Sequence, residues 1–249
     1  MISFTRDQLI LVTGASSGIG EAIALELNAL GATVIANGRE REKLEAGKSR
    51  CAYPECFHIE PLDLTVDMEG LPLWIKTLRE RYGKLGGLAH AAGATLTAPL
   101  REYDLPTAHR LFDLLFHAPM LLAKGFADRR NNVGKGASMV FISAAGAVIP
   151  APSLLIYSSA KGALLTGARC MAKELAPQGI RVNCVSPGLV KTPMQREFAS
   201  LLGPEAFAEV ERSYPLGLGA PEDVAAAAIY LLSARAKWIT GQNMLFSGG

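Results

Sequence analysis

One stretch near the start of the chain restricts its fold more than any other, because an apolar run, a glycine-rich turn and a helical segment follow one another without a gap. Residues 8–13, Q-L-I-L-V-T, have the composition of a strand buried on both faces. The turn reads T-G-A-S-S-G-I-G at residues 13–20, and residues 21–30 have helical composition, with Gly31 placed as a C-cap. This order predicts a βαβ unit whose glycines let the backbone approach a pyrophosphate at the helix N-terminus. A glycine turn without a ligand is the alternative, and the flanking strand and helix disfavour it.

The alternation of strand and helix continues along the chain. Its spacing predicts right-handed crossovers and an α/β fold, namely a Rossmann-type doubly wound parallel sheet of about seven strands flanked by helices. A length of 249 residues without a linker predicts a single dinucleotide-binding domain over residues 1–249. Further strands are predicted at residues 33–37, 56–60, 87–93, 137–143, 180–185 and 243–246, and further helices at 66–82, 106–130 (broken at most locally by Pro119), 157–176 and 221–232.

Composition and charge narrow the class of partner. Apolar residues make up 49% of the chain and charged residues 19%, so we expect a compact globule, with association into oligomers as an option. The net charge of +2 comes without a basic stripe or a long run of like charges, which argues against a nucleic-acid partner. Small molecules are the expected partners.

The cysteines and the N-terminus bear on the compartment. The four cysteines have neither zinc spacing nor C-x-x-C, which favours reduced thiols and no metal site. The apolar run within residues 1–14 is too short for a signal peptide or a membrane-spanning helix. We therefore expect a cytoplasmic protein with no membrane partner.

Tyr157 and Lys161 carry proton-transfer chemistry in their spacing. Four residues are about one helical turn, so a phenol and an ammonium lie on the same face. A nearby cation favours the phenolate and lowers the pKa of a tyrosine from about 10 toward neutrality. The spacing alone also arises by chance in amphipathic helices, so the rest of the chain has to support it.

Arg39 bears on the choice of cofactor. In a dinucleotide fold, an acidic residue at the end of the second strand holds the ribose 2′-hydroxyl, whereas an arginine accommodates a 2′-phosphate. The second predicted strand ends at Asn37 without an acid, and Arg39 follows two residues later. NADP(H) is therefore favoured over NAD(H), although a loop arginine can also be merely solvated.

Three other features have two interpretations each. Residues 194–218 hold two short amphipathic stretches that form either a lid over an apolar substrate or a helical insertion packed on the core or a neighbouring subunit. His90 ends an apolar strand and is interpreted as a hydrogen-bonded core residue rather than a ligand. The basic pair Arg129 and Arg130 is assigned to a solvated helix C-terminus, with docking of an acidic partner as the alternative.

Five short motifs occur in order along the chain. They are T-G-x-x-x-G-I-G at 13–20, D-L at 63–64, A-G at 92–93, Y-x-x-x-K at 157–161 and P-G-x-V-x-T at 187–192. Taken together, these motifs resemble those of the short-chain dehydrogenase/reductases over essentially the whole length, with a likeness to 3-oxoacyl-ACP reductase-like members. The ending at residues 239–242 and 248–249 also looks like that of the family.

The resemblance implies a role for each matching position. Tyr157 would exchange the proton while hydride moves between the nicotinamide and the substrate carbon. Lys161 would bind the nicotinamide ribose and lower the pKa of Tyr157. Asp63 and Leu64 would hold the adenine. The predicted cofactor-binding residues are Gly14, Ser16, Ser17, Gly18, Ile19, Gly20, Arg39, Asp63, Leu64, Ala92, Gly93, Tyr157, Lys161, Pro187, Gly188, Val190 and Thr192.

Two departures from the family pattern affect the catalytic set. Members usually carry a serine thirteen residues before the tyrosine, where this chain has Ala144, with Ser143 one residue earlier. Ser143 replaces the missing hydroxyl only if the strand has ended or bulged there, because neighbouring strand residues point to opposite faces. Leu115 stands where the resemblance places an asparagine of the proton relay. The predicted catalytic residues are Tyr157, Lys161 and Ser143.

The leading hypothesis is an NADP(H)-dependent oxidoreductase that acts as a ketoreductase on a carbonyl/secondary alcohol pair, with an oxoacyl thioester on a carrier as one option. The resemblance implies a homodimer or homotetramer built on helices 106–130 and 157–176. The alternative is a cofactor-binding subunit with weak or no redox turnover. Intact Tyr157 and Lys161 favour the enzyme, and Ala144 and Leu115 favour the subunit.

Overall fold

In the computed structural model, which describes residues 2–249, seven parallel strands form one sheet in the order β3-β2-β1-β4-β5-β6-β7. Each pair of neighbours is parallel, as the crossover spacing predicts. The doubly wound α/β fold is therefore confirmed. The strands are β1 Leu9–Thr13, β2 Thr33–Gly38, β3 Phe57–Pro61, β4 Leu85–His90, β5 Ser138–Ile142, β6 Arg181–Pro187 and β7 Asn243–Phe246.

Helices cover both faces of this sheet. A π-helical turn, Asp113–His117, joins the fourth and fifth helices into one long rod. None of the helices within residues 2–249 has both the length and the apolar character needed to cross a membrane. The helices are α1 Gly18–Ala29, α2 Arg41–Lys48, α3 Leu71–Tyr82, α4 Leu105–Phe112, α5 Ala118–Ala127, α6 Leu155–Leu175, α7 Pro193–Leu202, α8 Pro204–Arg212 and α9 Pro221–Leu232.

The core consists of two layers, one on each side of the sheet. On one side Val12 packs in a cluster with residues of α1 and α9, and on the other Leu11 packs with residues of α3, α5 and α6. Neighbouring residues of β1 point to opposite faces of the sheet. Because helices cover both faces, both side chains are fully buried. Complete burial of each such side chain stabilises the fold by about 1.5–3 kcal/mol. The apolar run at residues 8–13 thus becomes a central strand that fixes the position of the turn after it.

Three helix assignments need correction. The helix predicted over residues 106–130 ends at Ala127, so Arg129 and Arg130 lie beyond the helix C-terminus to which they were assigned. Helix α2 was not expected, and α3 begins at Leu71 rather than at residue 66. Pro72 occupies the first turn of α3, where proline is tolerated because its missing N–H needs no partner. A hydrogen bond from the Gly70 N–H to the Asp67 carboxylate closes a separate turn just before the helix. The predicted bounds of α9 and β7 agree with the structure.

The strand order reverses between β1 and β4, which are neighbours at the centre of the sheet. In doubly wound sheets, ligands bind in the crevice at the carboxyl ends of the strands at such a switch point. The glycine turn after β1 and the A-G pair after β4 both lie there. The fold therefore places the two motifs at one edge of the sheet.

Candidate active site

In the glycine turn after β1, the glycine positions are packed too tightly against their neighbours to accept a side chain. Gly14 has φ +69°, and a Cβ on it would lie 2.6 Å from the main-chain nitrogen of Ala92. A Cβ on Gly20 would come into direct conflict with the carbonyl of Gly14, and one on Gly18 would lie 3.1 Å from the Thr192 side chain. The turn is thus held against the loops that follow β4 and β6. This close backbone approach, at the N-terminus of α1, is the arrangement that suits a pyrophosphate.

A cavity of about 270 Å³ opens above this turn. Most of the predicted cofactor-binding residues line it, so the structure brings them together. Of the predicted residues, Gly14, Ser16, Ser17, Gly18, Ile19, Gly20, Arg39, Asp63, Leu64, Ala92, Gly93 and Thr192 line the cavity.

At one end of the cavity Arg39 faces Asp63. The Asp63 carboxylate accepts hydrogen bonds from the Thr65 hydroxyl at 2.7 Å and the Thr65 N–H at 2.9 Å. These bonds, with a smaller contribution from the Arg39 charge, lower the pKa of Asp63 below its ordinary value. Asn37, at the end of β2, donates instead to the main-chain carbonyls of Glu60 and Leu62. Arg39 is exposed, so its guanidinium is accessible at the mouth of the cavity.

The remaining P-G-x-V-x-T residues lie beside the cavity rather than in its lining. The Gly188 N–H donates to the carbonyl of Phe246, and a Cβ on Gly188 would lie 2.8 Å from that of Ser247. Pro187 ends β6, and Val190 is buried and bridges to Gly219. The loop after β6 is thus fixed by the C-terminal residues and presents Thr192 to the glycine turn.

Tyr157 and Lys161 lie in the first two turns of α6, and neither of them lines the cavity, but Lys161 lies beside Gly93, which does. The Lys161 ammonium donates a 2.7 Å hydrogen bond to the carbonyl of Ile142, the last residue of β5. The same nitrogen lies 3.8 Å from where a Cβ on Gly93 would be. Lys161 is 5% exposed, and burial lowers the pKa of its ammonium to about 8. A buried cation therefore lies directly beside the A-G turn.

The pKa of Tyr157 moves in the direction opposite to the sequence prediction. Burial raises the pKa of the phenol to about 12. The lysine does not offset this burial, and its ammonium is hydrogen-bonded to Ile142 rather than to the phenol. The phenol therefore keeps its proton over the whole neutral range in the protein by itself.

Ser143 follows β5, but its hydroxyl is already used. The Ser143 N–H still donates to the carbonyl of Val185 at 2.7 Å, so the backbone keeps the sheet pattern one residue past the strand. The Ser143 hydroxyl donates to the main-chain carbonyl of Lys161 at 3.1 Å. Ala144, the next residue, is buried and starts a short 3₁₀ turn. For Ser143 to donate to a substrate it would have to give up this bond, and its catalytic role stays a prediction.

Leu115 lies inside the π-helical turn between α4 and α5 and is fully buried. One of its methyl carbons is 3.3 Å from where a Cβ on Gly93 would be. Leu115 and the Lys161 ammonium thus both border Gly93. An apolar side chain occupies a place next to the buried cation where it can neither donate nor accept a hydrogen bond.

Comparison with known proteins agrees with this geometry. A family model described as enoyl-(acyl carrier protein) reductase matches residues 14–249. The solved structure of a short-chain type dehydrogenase/reductase from Mycobacterium ulcerans is 31% identical, with a TM-score of 0.89 over 100% of this chain and 90% of that one. The chain belongs to the short-chain dehydrogenase/reductase family.

Two further proteins are similar to this chain along nearly its whole length. The 3-oxoacyl-[acyl-carrier-protein] reductase FabG of Thermotoga maritima is 29% identical over 97% of this chain and 97% of its own length. An actinorhodin polyketide ketoreductase variant, solved with NADPH, is 25% identical with a TM-score of 0.91, and the match covers 99% of this chain and 98% of that one. Oxidoreductases with ketoreductase activity are therefore among its structural relatives.

Sequence reasoning missed several residues that line the cavity of this short-chain dehydrogenase/reductase. They carry no chemical signature of their own. Except for Leu114, which lies in the π-helical turn, only their position next to a motif at the carboxyl end of a strand could have indicated them. They are Asn37, Gly38, Leu62, Thr65, Ala91, Ala94, Leu114, Pro193 and Met194.

Proposed function

We propose that this protein is an NADP(H)-dependent oxidoreductase that interconverts a carbonyl compound and a secondary alcohol. The observation that carries the proposal is the position of Lys161, whose buried ammonium borders Gly93 at the inner end of the glycine-lined cavity. Tyr157 lies one helical turn before it on the same face of α6, so a proton donor would lie close to the cation that we propose to bind the ribose.

The residues present fit a nicotinamide dinucleotide. Gly14, Gly18 and Gly20 allow a turn so tight that a side chain at each would meet neighbouring protein atoms, and this turn would bring the N-terminus of α1 up to a pyrophosphate. Asp63 would hold the adenine, Lys161 the nicotinamide ribose, and Arg39 a 2′-phosphate. The exposed Arg39, the lack of an acid at the end of β2, and the NADPH in the actinorhodin ketoreductase structure support NADP(H) over NAD(H).

The chain supplies proton transfer and positioning. When bound, the nicotinamide supplies or accepts the hydride. The Tyr157 hydroxyl donates its proton to the carbonyl oxygen as the carbonyl carbon is reduced, and solvent later restores the proton. The Lys161 ammonium would orient the ribose. With Ala144 in place of a hydroxyl donor, the site forgoes about 2–4 kcal/mol of transition-state stabilisation, which slows turnover without abolishing it.

We propose an oxoacyl thioester, carried by a partner protein or cofactor, as the substrate class. The similarity to the 3-oxoacyl-[acyl-carrier-protein] reductase of Thermotoga maritima supports this class. Helix α7, most of which lies in the predicted lid at residues 194–218, exposes Leu201 and Leu202 near its end, which suits an acyl chain. We also propose that Ser143 assists Tyr157. It does so either by holding α6 in place through its hydrogen bond to the Lys161 carbonyl, or by rotating its hydroxyl away from that carbonyl to donate to the substrate oxygen.

We also propose an oligomeric state and a cellular compartment for the enzyme. We expect residues 1–249 to act as one dinucleotide-binding domain in a homodimer or homotetramer, with the long helices of residues 106–130 and 157–176 at the interface. The free cysteines in residues 2–249 support a reducing compartment, the cytoplasm.

A second function is favoured by a specific observation. Leu115 and Ala144 remove an amide and a hydroxyl from the catalytic set, and the hydroxyl of Ser143 is bonded to the main chain. A cofactor-binding subunit with weak or no redox turnover would tolerate these losses.

The experiment that separates the two functions measures NADPH binding and NADPH oxidation on the same preparation. Binding is followed by calorimetry, and oxidation by the absorbance of the reduced nicotinamide with oxoacyl thioesters, simple ketones and keto sugars. Tight binding with oxidation on at least one substrate supports the enzyme. Tight binding with no oxidation across the three classes supports the subunit.

A further inference from the structure

Tyr214 is a partly buried aromatic residue of the predicted lid that the proposed reaction does not use. It follows α8, and its N–H donates to the carbonyl of Glu211 at 3.1 Å. A Cβ built on Gly188 would lie 3.0 Å from the Cε1 carbon of Tyr214. The edge of the phenol ring therefore lies against the backbone of Gly188, the first residue after β6.

Gly188 begins a segment, residues 188–192, that we call the β6 loop. Its N–H donates to the carbonyl of Phe246 at 2.9 Å. The same Cβ position on Gly188 that meets the Tyr214 ring lies 2.8 Å from the Cβ of Ser247. Tyr214 and Ser247 thus both contact the side of Gly188 from which a side chain would project.

The middle of the β6 loop is paired with the residues that follow the lid. The Lys191 N–H donates to the carbonyl of Gly219 at 2.8 Å, and the Gly219 N–H donates to the carbonyl of Leu189 at 3.1 Å. The Leu216 N–H donates to the carbonyl of Gly248 at 2.9 Å. Residues 214–219 therefore bridge the β6 loop and the residues after β7, and the Tyr214 ring adds a side-chain contact to these main-chain bonds.

The other end of the β6 loop forms part of the cavity wall. Thr192 lines the cavity, and a Cβ on Gly18 would lie 3.1 Å from its methyl carbon. The Thr192 hydroxyl accepts from the Gln195 N–H at 3.2 Å and so caps α7, the first helix after the loop. A shift of Gly188 would therefore be passed along the short loop to the cavity wall beside the glycine turn.

The position of Thr192 decides which half of a dinucleotide this loop would affect. Arg39 lies on the adenosine side, and a Cβ on Gly38, just before it, would lie 2.9 Å from the Cβ of Ser16 in the glycine turn. Thr192 meets the same turn two residues further along, at Gly18. With the adenosine half at Arg39 and the pyrophosphate at the turn, the nicotinamide half would lie on the side of Thr192.

We propose that Tyr214 is a positioning residue for the nicotinamide half of the cofactor. Its ring holds Gly188, and the β6 loop in turn holds Thr192 where the second nucleotide would bind. The inference rests on the proposed function, because it takes the cavity to hold a dinucleotide. It also gives the predicted lid a second role, since the residues that end the lid shape the cofactor site as well.

Two ligands separate this role from a general structural one. NADPH would fill both halves of the site, whereas adenosine 2′,5′-bisphosphate carries the adenosine half and lacks the nicotinamide and its ribose. Both affinities are measured by calorimetry on the full-length protein. In Tyr214→Ala we expect NADPH to bind about tenfold more weakly and adenosine 2′,5′-bisphosphate to bind as in the wild type. Tyr214→Phe keeps the ring carbon that meets Gly188, so it should bind both ligands as the wild type does.

Phe207→Ala is the matched control, because it removes another partly buried aromatic ring of the lid, from α8. It should leave both affinities unchanged. Unchanged NADPH affinity in Tyr214→Ala, equal losses of the two ligands in that variant, or the same NADPH loss in Phe207→Ala would overturn the inference. Wild-type protein that binds neither ligand would contradict the proposed function itself.

Gly188→Ala tests the same contact from the other side and does not depend on the folding of Tyr214→Ala. Gly188 does not have a positive φ, so alanine fits its backbone, but the new methyl group would press on the Tyr214 ring and Ser247. We expect the same selective loss of NADPH, with adenosine 2′,5′-bisphosphate bound as in the wild type. An unchanged affinity for NADPH in Gly188→Ala would also overturn the inference.

Discussion

The hydroxyl of Ser143 donates to the main-chain carbonyl of Lys161 over 3.1 Å, so the hydroxyl nearest to Ala144 is held by the backbone of the helix that carries the catalytic pair. This bond links the end of β5 to the second turn of α6. Together with the bond from the Lys161 ammonium to the Ile142 carbonyl, it fixes the lysine from both its main chain and its side chain. The site thus holds its cation rigidly while it lacks a second donor for the substrate.

Ala144→Ser restores a hydroxyl at the position where the family resemblance places one. We expect kcat to rise by about 30- to 900-fold, because a single oxyanion donor contributes about 2–4 kcal/mol in well-formed sites. The matched control is Ser143→Ala, which removes the bond to Lys161 and should lower kcat modestly. A gain from Ala144→Ser of less than twofold, with a large loss from Ser143→Ala, would show that Ser143 is already the donor.

The pH dependence of ketone reduction follows from the two buried groups. With the pKa of Tyr157 at about 12, the phenol is protonated and can donate throughout the neutral range. With the pKa of Lys161 at about 8, the ammonium is lost as the pH rises through that value. We expect kcat/KM for reduction to be level below pH 8 and to fall above it.

Lys161→Arg tests this assignment, because a guanidinium keeps its charge at these pH values. The variant should lose the fall above pH 8, whatever its absolute rate. An unchanged alkaline limb would assign the titration to another group.

Arg39→Ala tests the cofactor preference. We expect NADPH binding to weaken by about 10- to 100-fold, since a hydrogen bond to a charged group contributes about 1.5–3 kcal/mol, and NADH binding to change little. Arg6→Ala removes the same charge near the amino end of β1, away from the cavity, and should leave both affinities unchanged. Equal losses of NADPH and NADH in Arg39→Ala would remove the argument for NADP(H).

Gly14→Ala tests the close packing of the nucleotide turn, and Gly134→Ala is its control. Both glycines have positive φ, +69° and +74°, so alanine costs each about 1–2 kcal/mol of stability. Only at Gly14 does the new Cβ also meet a neighbour, the Ala92 nitrogen, whereas no atom lies within 4 Å at Gly134. We expect both variants to lose stability in chemical unfolding and only Gly14→Ala to lose NADPH binding. Equal binding in the two variants would mean that the turn does not hold the cofactor.

Much of the fold follows from the sequence because its signals are local. The apolar run at residues 8–13 and the prolines and glycines between segments define where strands and helices begin, and the spacing of crossovers fixes a parallel sheet. Helix α2 was missed because its eight residues, Arg41–Lys48, are polar and bury only Leu44 and Gly47. With so few buried residues, the segment shows no apolar periodicity that would predict a helix.

The site was harder to predict because its chemistry depends on long-range contacts. The spacing of Tyr157 and Lys161 placed them on one face, but burial, which no local pattern reports, raises the pKa of the phenol instead of lowering it. In the same way, the partner of the Ser143 hydroxyl lies 18 residues away. His90 is the hydrogen-bonded core residue that the sequence indicates, but the partner of its Nδ1, the Thr13 hydroxyl at 2.9 Å, lies on another strand.

The most direct test of the proposed reaction is the transfer of deuterium from the cofactor to the product, with and without the Tyr157 hydroxyl. Wild-type protein and Tyr157→Phe are each given NADPH that carries deuterium at both C4 positions of the nicotinamide, together with the best substrate of the oxoacyl thioester panel, and the alcohol is analysed by mass spectrometry. We expect one deuterium on the carbinol carbon with the wild-type protein, and no alcohol with Tyr157→Phe although it binds NADPH with unchanged affinity. Alcohol formed at the wild-type rate by Tyr157→Phe, or no deuterated product from the wild-type protein, would contradict the proposal.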